Sequence, residues 1–351
     1  MANIFARSPY LIRIAESGQN GSKVELFLSA TTFSGSPQYT LSKLIPASND
    51  VETLYDISSY IREYISFTTP SEPTTSLANP TNERVNVRVK RYKLVGSTYS
   101  PTATDPQVDY IAFDGYTYYE EGSNYDLGNY GLDEGNYYYW EGHGYAGQIR
   151  AITGASFTAK YTSFHPSPTI TSVAISSGTY DIARVLNANL SVGNKVEILN
   201  SALAVQKTYY FYPQDECKYT PVRIDFINRY GAWQTEYCFK ASNDTFSVEN
   251  TEYNLLQTNS FNYSSYEGQR KVFNANGKKS IKVNTGWVDE TWNETLKQIM
   301  LSERIFMGPA YLSKPVKINS KSTELFKHIN TKQINYSLEF EFAYDVINSV
   351  I

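Results

Sequence analysis

The chain has few of the residues that most often carry enzyme or metal chemistry. Its 351 residues include only three histidines and two cysteines. His143, His165 and His328 lie far apart, and no CxxC is present, so the sequence favours neither a structural zinc site nor a Cys/His dyad. Two cysteines are too few for a disulfide scaffold. We expect Cys217 and Cys238 to be half-buried thiols in neighbouring strands, although the sequence alone leaves a bridge open.

Long runs of positive charge and long apolar runs are also absent. The formal net charge is -4 and the sequence pI is about 5.6, with no run of Lys or Arg to attract a phosphate backbone, so nucleic acid is not an expected partner. The first ten residues lack a basic start followed by an apolar stretch, and no later run approaches membrane-spanning length. We therefore expect a soluble product that is not exported by a standard signal and does not insert into a membrane.

No motif of a known catalytic site is present. The chain has no serine elbow, no phosphate loop and no HExxH. A glycosidase needs two carboxylates across a cleft, but nothing in the sequence pairs Glu134 with Glu141, or Asp289 with Glu290. We predict that the protein is not an enzyme, with no catalytic residue, no cofactor and no metal site.

Tyrosine is abundant, with 31 copies. An aromatic ring with a polar tip gives a large, rigid contact area at low entropic cost, and tyrosine is therefore concentrated at interfaces. The composition favours a protein that works by binding and assembly.

Period-two patterns predict a mainly β protein. Apolar and polar residues alternate from Ile334 to Val346, which predicts one long strand with neighbours on both edges. The candidates for those neighbours are 316–319, 325–329, 278–283 and 222–226. Shorter alternating segments at 24–28, 39–41 and 85–95, separated by frequent turn residues, favour antiparallel sandwiches.

Two short helices interrupt this pattern. Ile57, Tyr60, Ile61, Tyr64 and Ile65 form one apolar stripe, with the preceding aspartate, residue 56, placed to cap it.

The second stripe contains Trp292, Leu296, Ile299 and Met300. Residues 291 and 294, a threonine and a glutamate, have the spacing of a capping box, and the glycine and proline at 308 and 309 are expected to end the helix. The fold class is therefore mainly β, with antiparallel β-sandwich domains and two short helices.

Two Pro/Ser/Thr-rich stretches predict loops. Residues 68–81 should form a long surface loop, and 163–172 should mark the domain boundary. The predicted domains are 1–165, an N-terminal β-sandwich, and 170–351, a C-terminal β-rich domain with a capping helix at about 290–306.

Residues 109–147 form an insert rich in Tyr, Gly and acids, without a single Lys or Arg. We expect a hairpin with an extended, partly ordered tip. A docking arm for a neighbouring subunit is the first interpretation, contact with a glycan the second, and a calcium site the third. The candidate interaction residues are Tyr116, Tyr118, Tyr119, Tyr130, Tyr137, Tyr138, Tyr139 and Trp140.

A series of motifs in residues 200–350 resembles one family. It starts with Phe226-Ile-Asn-Arg-Tyr-Gly-Ala-Trp233, followed by Tyr237, Phe239 and Lys240. It continues with Asn284-Thr-Gly-Trp-Val-Asp-Glu290, the helix ending at 301–303, Pro315-Val-Lys-Ile318 and the strand 336–344. In this order the motifs resemble tail and baseplate-type virion structural proteins of phages that infect Bacteroidetes, including the crAss-like group.

The resemblance implies a structural component of a phage tail, near its hub, baseplate or fibre attachment, assembled in the host bacterial cytoplasm. Its partners would be further copies of itself, as a homo-oligomer, and other tail proteins. The alternative is a receptor-binding or adhesin module that contacts host surface glycans. The motif residues to which we assign structural roles are Asn228, Arg229, Tyr230, Gly231, Trp233, Gly286 and Trp287.

Two of these roles follow from local geometry. Asn228 to Gly231 should form a tight turn between two strands, with Gly231 available for a positive φ. Trp233 and Trp287 are expected to pack beneath the stripe of the second helix.

Overall fold

The structure is a computed structural model, and it confirms a mainly β chain of antiparallel sheets with two short helices. It describes residues 3–29, 32–46, 52–69, 82–128, 130–145, 147, 149–152, 157–164, 170–175, 182–185, 193–255, 266, 268–308, 313–325 and 334–348. The chain forms two compact units: unit 1 comprises 1–215 and 225–236, and unit 2 comprises 216–224 and 237–351.

The division between the units lies about fifty residues beyond the boundary expected at 163–172. The strands on either side of that stretch, 157–163 and 170–175, pair with each other in one antiparallel sheet. Residues 165–169, with both prolines of the stretch, lie outside the described residues, as do 70–81 of the predicted surface loop. The Pro-rich stretch therefore connects two paired strands within unit 1.

The first sheet of unit 1 has the strand order β1-β8-β6-β3-β4, with β7 pairing β6. It confirms the predicted strands near residues 24, 39 and 85. A separate antiparallel pair, β2-β5, accompanies it. The bounds of these strands are β1 Asn3–Phe5, β2 Leu11–Ile14, β3 Gly21–Ser29, β4 Tyr39–Leu44, β5 Thr53–Asp56, β6 Arg84–Val95, β7 Thr98–Pro101 and β8 Gln107–Phe113.

The core of this half of unit 1 lies between the sheet and the β2-β5 pair. Alternate residues of the strands are buried, as in β6, where Val85, Val87 and Val89 have almost no solvent exposure. They form one cluster with apolar side chains from β2, β5 and the first helix. Burial of one such side chain contributes roughly 1.5–3 kcal/mol.

The first predicted helix, α1, spans Ser58–Arg62. The N-cap position is Ile57 and not the predicted Asp56, but Asp56 Oδ1 accepts hydrogen bonds from the Ser58 amide at 3.0 Å and the Ser58 hydroxyl at 2.7 Å, at the first residue of the helix. The stripe residues Ile57 and Ile61 are fully buried. The helix therefore covers the core with the face that the sequence predicted.

The second sheet of unit 1 has the order β12-β11-β14-β15-β9. All its pairs are antiparallel except β15-β9, which is parallel. A further antiparallel pair is β10-β13. The bounds are β9 Gly135–Trp140, β10 Ile149–Ile152, β11 Phe157–Ser163, β12 Ile170–Ile175, β13 Ile182–Val185, β14 Asn194–Leu199 and β15 Val205–Gln214.

The next two strands are shared along their length between the units. These are β16, Val222–Ile227, and β17, Trp233–Cys238. Their ends at the connecting turn, together with the turn, belong to unit 1, and their other ends belong to unit 2. Unit 1 therefore includes a segment that follows its main body in the chain by ten residues.

Unit 2 is built around the last strand. Its sheet contains, in order, β20-β21-β22-β19-β18. The bounds are β18 Asn243–Asn254, β19 Arg270–Val288, β20 Ile305–Gly308, β21 Lys314–Ile318 and β22 Ile334–Phe342.

Strand β22 confirms the alternation predicted from the sequence. Along it, buried and exposed residues alternate, with Tyr336, Leu338 and Phe340 inside. It has neighbours on both edges, β21 and β19, and these match two of the four predicted candidates. The strand ends at Phe342, and Val346 is 51 % exposed, so the prediction of one strand up to Val346 was too long.

The second helix, α2, spans Trp292–Leu301, which is shorter than the predicted 290–306. Leu296 and Ile299 are fully buried, and the Trp292 ring stacks on Tyr336 with centroids 5.7 Å apart. The stripe predicted from the sequence therefore faces the core of unit 2.

Two predictions about the ends of α2 were wrong. The Thr291 side chain does not cap the helix, because the Asp289 carboxylate accepts hydrogen bonds from the Thr291 amide and hydroxyl instead. At the other end, Ser302 follows the last helical residue with an extended backbone. Gly308 is the last residue of β20 and not a helix stop, and Pro309 lies outside the described residues.

The two cysteines are both free thiols. Cys238 is buried at the end of β17, whereas Cys217 is exposed between β15 and β16. The expectation of two half-buried thiols in neighbouring strands was therefore wrong in both burial and placement.

Candidate functional site

The insert at 109–147 does not form the predicted hairpin. It begins within β8, continues through a 3-10 helix at Tyr119–Glu121 and ends after β9. Strand β9 pairs in parallel with β15, so its partner comes from about seventy residues later in the chain. The predicted hairpin would need an antiparallel partner inside the insert.

The insert packs on the predicted turn through two glycines that face each other. Gly231 has φ +66°, which confirms the predicted positive φ. A Cβ on Gly231 would lie 2.8 Å from the Gly115 nitrogen, and a Cβ on Gly115 would lie 2.4 Å from the Arg229 carbonyl oxygen. The Tyr116 amide donates to the same carbonyl at 2.8 Å. Only glycine allows the two backbones to approach this closely.

Arg229 fixes the first part of the insert to the turn. Its guanidinium donates to both Glu121 oxygens at 2.6 Å and lies over the Tyr118 ring, 4.5 Å from the centroid. Only 10 % of the Arg229 side chain is exposed. Burial opposes the charge of Arg229, but its hydrogen bonds and charge interaction with Glu121 outweigh this and raise the pKa.

The other turn residues fix the second part of the insert. Asn228 is fully buried, and its Nδ2 donates to the Gly131 carbonyl at 2.6 Å, while its Oδ1 accepts from the Tyr230 amide at 3.0 Å. The Tyr230 hydroxyl donates to the Asp133 carboxylate. Burial, together with this negative charge, raises the pKa of Tyr230. The predicted turn at 228–231 and the predicted insert at 109–147, which are distant in sequence, therefore form one contact.

Several tyrosines of the insert lie inside unit 1. Tyr137 and Tyr139, on β9, are buried, and Tyr137 stacks on Phe211 of β15 with centroids 5.5 Å apart. Tyr145 packs on the same Phe211 ring at 4.9 Å. Burial raises the pKa of both Tyr137 and Tyr145 well above the ordinary value. These rings form part of the core on one face of the second sheet, to which the insert contributes β9.

The opposite face of this sheet carries exposed and half-buried aromatic side chains. We call Tyr138, Phe164, Tyr210 and Tyr212 the aromatic face. The ring of Tyr212 stacks on Tyr138 at 5.7 Å and 28°, on Phe164 at 5.5 Å and 18°, and on Tyr210 at 6.4 Å and 8°. Tyr138 and Phe164 are 39 % and 38 % exposed.

Charged groups and a further ring border the aromatic face. Glu197, on the neighbouring strand β14, binds Lys195 at 2.9 Å and Lys160 at 3.3 Å. At the end of β9, the half-exposed Trp140 stacks on His143 at 4.0 Å and 13°. The face is therefore a group of nearly parallel rings with a polar border.

The remaining predicted interaction residues have different positions. Tyr116 is buried against Tyr118, which is half-buried, with ring centroids 5.8 Å apart. Tyr130 is also half-buried. Tyr119 is fully exposed at the start of the 3-10 helix. Of the eight predicted residues, the structure brings Tyr138 and Trp140 to the side that carries the aromatic face.

The tryptophans of the motif do not share one site. Trp233 is buried in unit 1 and packs edge-on against Phe67, with centroids 5.9 Å apart. Trp287 is 66 % exposed, so the prediction that it packs beneath α2 was wrong. Gly286, beside it, has φ +78°, and its amide donates to Asn284 Oδ1 at 2.8 Å. Gly286 lies at a break in the register of β19 with β22, between Asn284 and Trp287, where the regular alternation of the strand is interrupted.

The acids considered for catalysis have structural contacts. The Glu134 carboxylate accepts from the Thr208 amide at 3.0 Å and lies 3.6 Å from Lys207. The Asp289 carboxylate accepts hydrogen bonds from the Thr291 amide and hydroxyl, at the residue before α2. In the part of the chain that the structure describes, no group of three His, Cys, Asp or Glu side chains is arranged to hold a metal ion.

Sequence reasoning missed three of the four rings of the aromatic face. Phe164, Tyr210 and Tyr212 lie outside the insert, and Tyr209–Tyr212 is an unbroken aromatic run, so the alternation of a two-faced strand is hidden. Only the parallel pairing of β9 with β15 places Tyr138 beside Tyr212. The aromatic run was the available signal.

Comparisons with known proteins add no relative. Neither a protein-family model, nor a curated protein, nor a solved structure matches the chain. Among the described residues, no helix is long and apolar enough to cross a membrane.

Proposed function

We propose that the protein is a structural component of a phage virion, at a tail hub, baseplate or fibre attachment, and that it acts through protein–protein assembly. The motif order in residues 200–350 supports this assignment through its resemblance to such proteins. The roles of the motif residues also support it, because Asn228, Arg229, Tyr230 and Gly231 hold a backbone contact and not a reacting group.

The exposed aromatic face is the observation that carries the proposal. Tyrosine and phenylalanine are enriched at the centres of protein interfaces, where rigid rings exclude water at low entropic cost. Here the rings are held by each other and by the sheet beneath them, so little side-chain freedom remains to be lost on binding. We place the working surface of the protein at this face.

Replacement of two rings tests the proposal. We expect Tyr138→Ser with Tyr212→Ser to reduce incorporation of the protein into particles, and its self-association, about tenfold or more, because interface aromatics each contribute about 1–2 kcal/mol or more. The matched control is Tyr99→Ser, a change at a similarly exposed ring, 38 %, on the other sheet of unit 1. Equal incorporation of the double variant and the control would contradict the role of the face.

The location of the protein in purified particles tests the assignment itself. Mass spectrometry of gradient-purified virions should find the chain in a fixed ratio to other tail proteins, and electron microscopy of the particle should place it on the tail. Its absence from purified particles would refute the proposed function, whatever the behaviour of the isolated protein.

A second candidate function, contact with host surface glycans, is favoured by the flatness of the aromatic face. Sugar rings stack on aromatic faces, and nearby carboxylates accept hydrogen bonds from hydroxyl groups. Tyr212 lies within 28° of parallel to Tyr138, and Glu141 is exposed at the end of β9. Binding of host capsular polysaccharide by a monomer, lost in Tyr138→Ser and kept in Tyr99→Ser, would favour this candidate.

We propose no catalytic step for either function. Release of oligosaccharide from that polysaccharide by the purified protein, abolished by Glu134→Gln or Glu141→Gln, would contradict this part of the proposal.

A further inference from the structure

Unit 2 carries a two-stranded ribbon that extends beyond its sheet. The pairing of β19 with β22 begins at Ser280, whereas the pairing of β19 with β18 continues from there to the Asn254–Arg270 pair. We call residues 246–254 and 270–279 the ribbon. Nine residues of extended strand span about 30 Å. Every residue of β18 is exposed. On the other strand, Val346 and Ile347 hydrogen-bond to Gly277 and Asn276, whereas 270–273 are exposed.

The ribbon exposes several large apolar side chains to solvent. Phe246, Val248, Val272 and Phe273 are 54–71 % exposed, and Tyr253, in contact with Phe273, is 45 % exposed. A two-stranded ribbon is at best marginally stable on its own, and its open edges are templates for further pairing. These properties are typical of an arm that is covered in an assembly.

The ribbon carries a net positive charge, which indicates the chemistry of the surface that would cover it. Over the ribbon there are four cations and two carboxylates, a net charge of +2 in a chain of net charge -4. Lys278 and Lys279 bind Glu249 and Asp244 at 2.7 and 2.8 Å. Arg270 and Lys271 then give the far end of the ribbon, beside Phe273, a basic and apolar character.

A complementary surface exists on unit 1 of the same chain. Strand β9 is the last strand of its sheet, and it lies in the insert that has no Lys or Arg. Glu141, immediately after it, is exposed, whereas Glu134, immediately before it, lies 3.6 Å from Lys207. Tyr138 and Trp140 point to the side of the aromatic face. Among the described strands, this edge with its exposed carboxylate and aromatic side chains therefore matches the basic and apolar end of the ribbon.

We infer that the ribbon of one copy docks along the β9 edge and the aromatic face of a second copy of this chain. The contact joins two different surfaces, so it is head-to-tail, and such contacts close into a ring when the rotation between copies permits. The inference rests on the proposed function and makes it specific, because it names both surfaces of the repeated interface.

Charge reversal on each surface tests the inference. Arg270→Glu with Lys271→Glu reverses the ribbon, and Asn136→Lys with Glu141→Lys reverses the exposed side of β9. Wild-type protein should sediment as an oligomer, and each reversed variant alone should associate at least about tenfold more weakly, since like charges then face each other. Lys321→Glu and Glu324→Lys, two exposed positions outside both surfaces, are the matched controls and should associate like wild type.

Mixing the two reversed variants is the decisive step. An acidic ribbon then meets a basic β9 edge, and a basic ribbon meets an acidic edge, so the mixture should recover the wild-type oligomer with alternating copies. Native hydrogen exchange in unit 1 and in the sheet of unit 2 shows that each variant is folded.

Three results would overturn the inference: a wild-type monomer at every concentration tested, undiminished association of the reversed ribbon, or no recovery on mixing. A wild-type monomer that is nevertheless found in purified particles would refute the ribbon contact between copies and leave the virion role standing. Absence from particles would refute the virion role.

Discussion

Replacing Gly231 with alanine should destabilise unit 1 through two separable effects. The first is the backbone conformation, because φ +66° costs a residue with a Cβ about 1–2 kcal/mol. The second is space, because the new Cβ would lie 2.8 Å from the Gly115 nitrogen and 2.9 Å from the Asp114 carbonyl carbon. Both are main-chain atoms, so the insert must move away from the turn.

The size of the second effect follows from what the movement breaks. The hydrogen bond from the Tyr116 amide to the Arg229 carbonyl crosses the same contact. Loss of a buried hydrogen bond costs about 1–3 kcal/mol. We expect Gly231→Ala to cost about 2–5 kcal/mol in total, which reaches the range of severe single substitutions.

Gly35→Ala separates the two effects. Gly35 has φ +76°, and a Cβ there would meet no atom within 4 Å, so only the conformational cost of about 1–2 kcal/mol applies. Urea unfolding followed by hydrogen exchange mass spectrometry measures both variants in peptides of unit 1, without assuming that the two units unfold together. Equal destabilisation by the two substitutions would refute the close approach of Gly115 and Gly231.

Three further outcomes test the electrostatics of unit 1. Arg229→Met should cost about 2–3 kcal/mol, because it breaks a largely buried pair with Glu121, whereas Arg13→Met at an exposed pair should cost less than about 1 kcal/mol; similar values in urea unfolding would contradict the burial. Burial of Glu197 opposes its charge, but its two lysine partners lower the pKa of its carboxyl group. The ionised carboxylate therefore stabilises the fold above the pKa of the unfolded state, and this contribution is lost as the pH falls. The difference in the free energy of unfolding between wild type and Glu197→Gln should narrow from pH 7 to about pH 3. Burial raises the pKa of Tyr209 above its ordinary value of 10.0, so stability should fall above about pH 10 as the unfolded phenol ionises. The part of the phenolate absorbance that Tyr209→Phe removes should appear together with unfolding, not before it.

Sequence patterns predicted the elements that have one buried face. The alternation in β22, the stripe of α1 and the positive φ of Gly231 all depend on local chemistry, which a single sequence shows directly. The cap of α2 was wrongly predicted because the Thr291 hydroxyl donates to the Asp289 carboxylate and not to the helix, a local competition that the spacing of a capping box does not show.

Features that depend on distant pairing were not predictable in this way. The Tyr-rich insert looked like a hairpin because a parallel partner seventy residues away leaves no local signal. The aromatic face was predicted only in part for the same reason. Tyr138 was a candidate, whereas Tyr212 lies beside it only through the register of β9 and β15. The exposure of the ribbon could not be predicted, because the alternation of apolar and polar residues in its sequence resembles that of any strand with one buried face.

The turn at 228–231 has a consequence for how the protein is made. The segment that locks residues 115–133 in place is synthesised about a hundred residues after them, so at 5–20 residues per second the ribosome delivers it roughly 5–20 s later. During that interval the nascent chain holds its tyrosine-rich stretch without its anchor. Maturation of this stretch is therefore timed by translation of a distant hairpin, and a polypeptide released after residue 215 would lack the means to complete it.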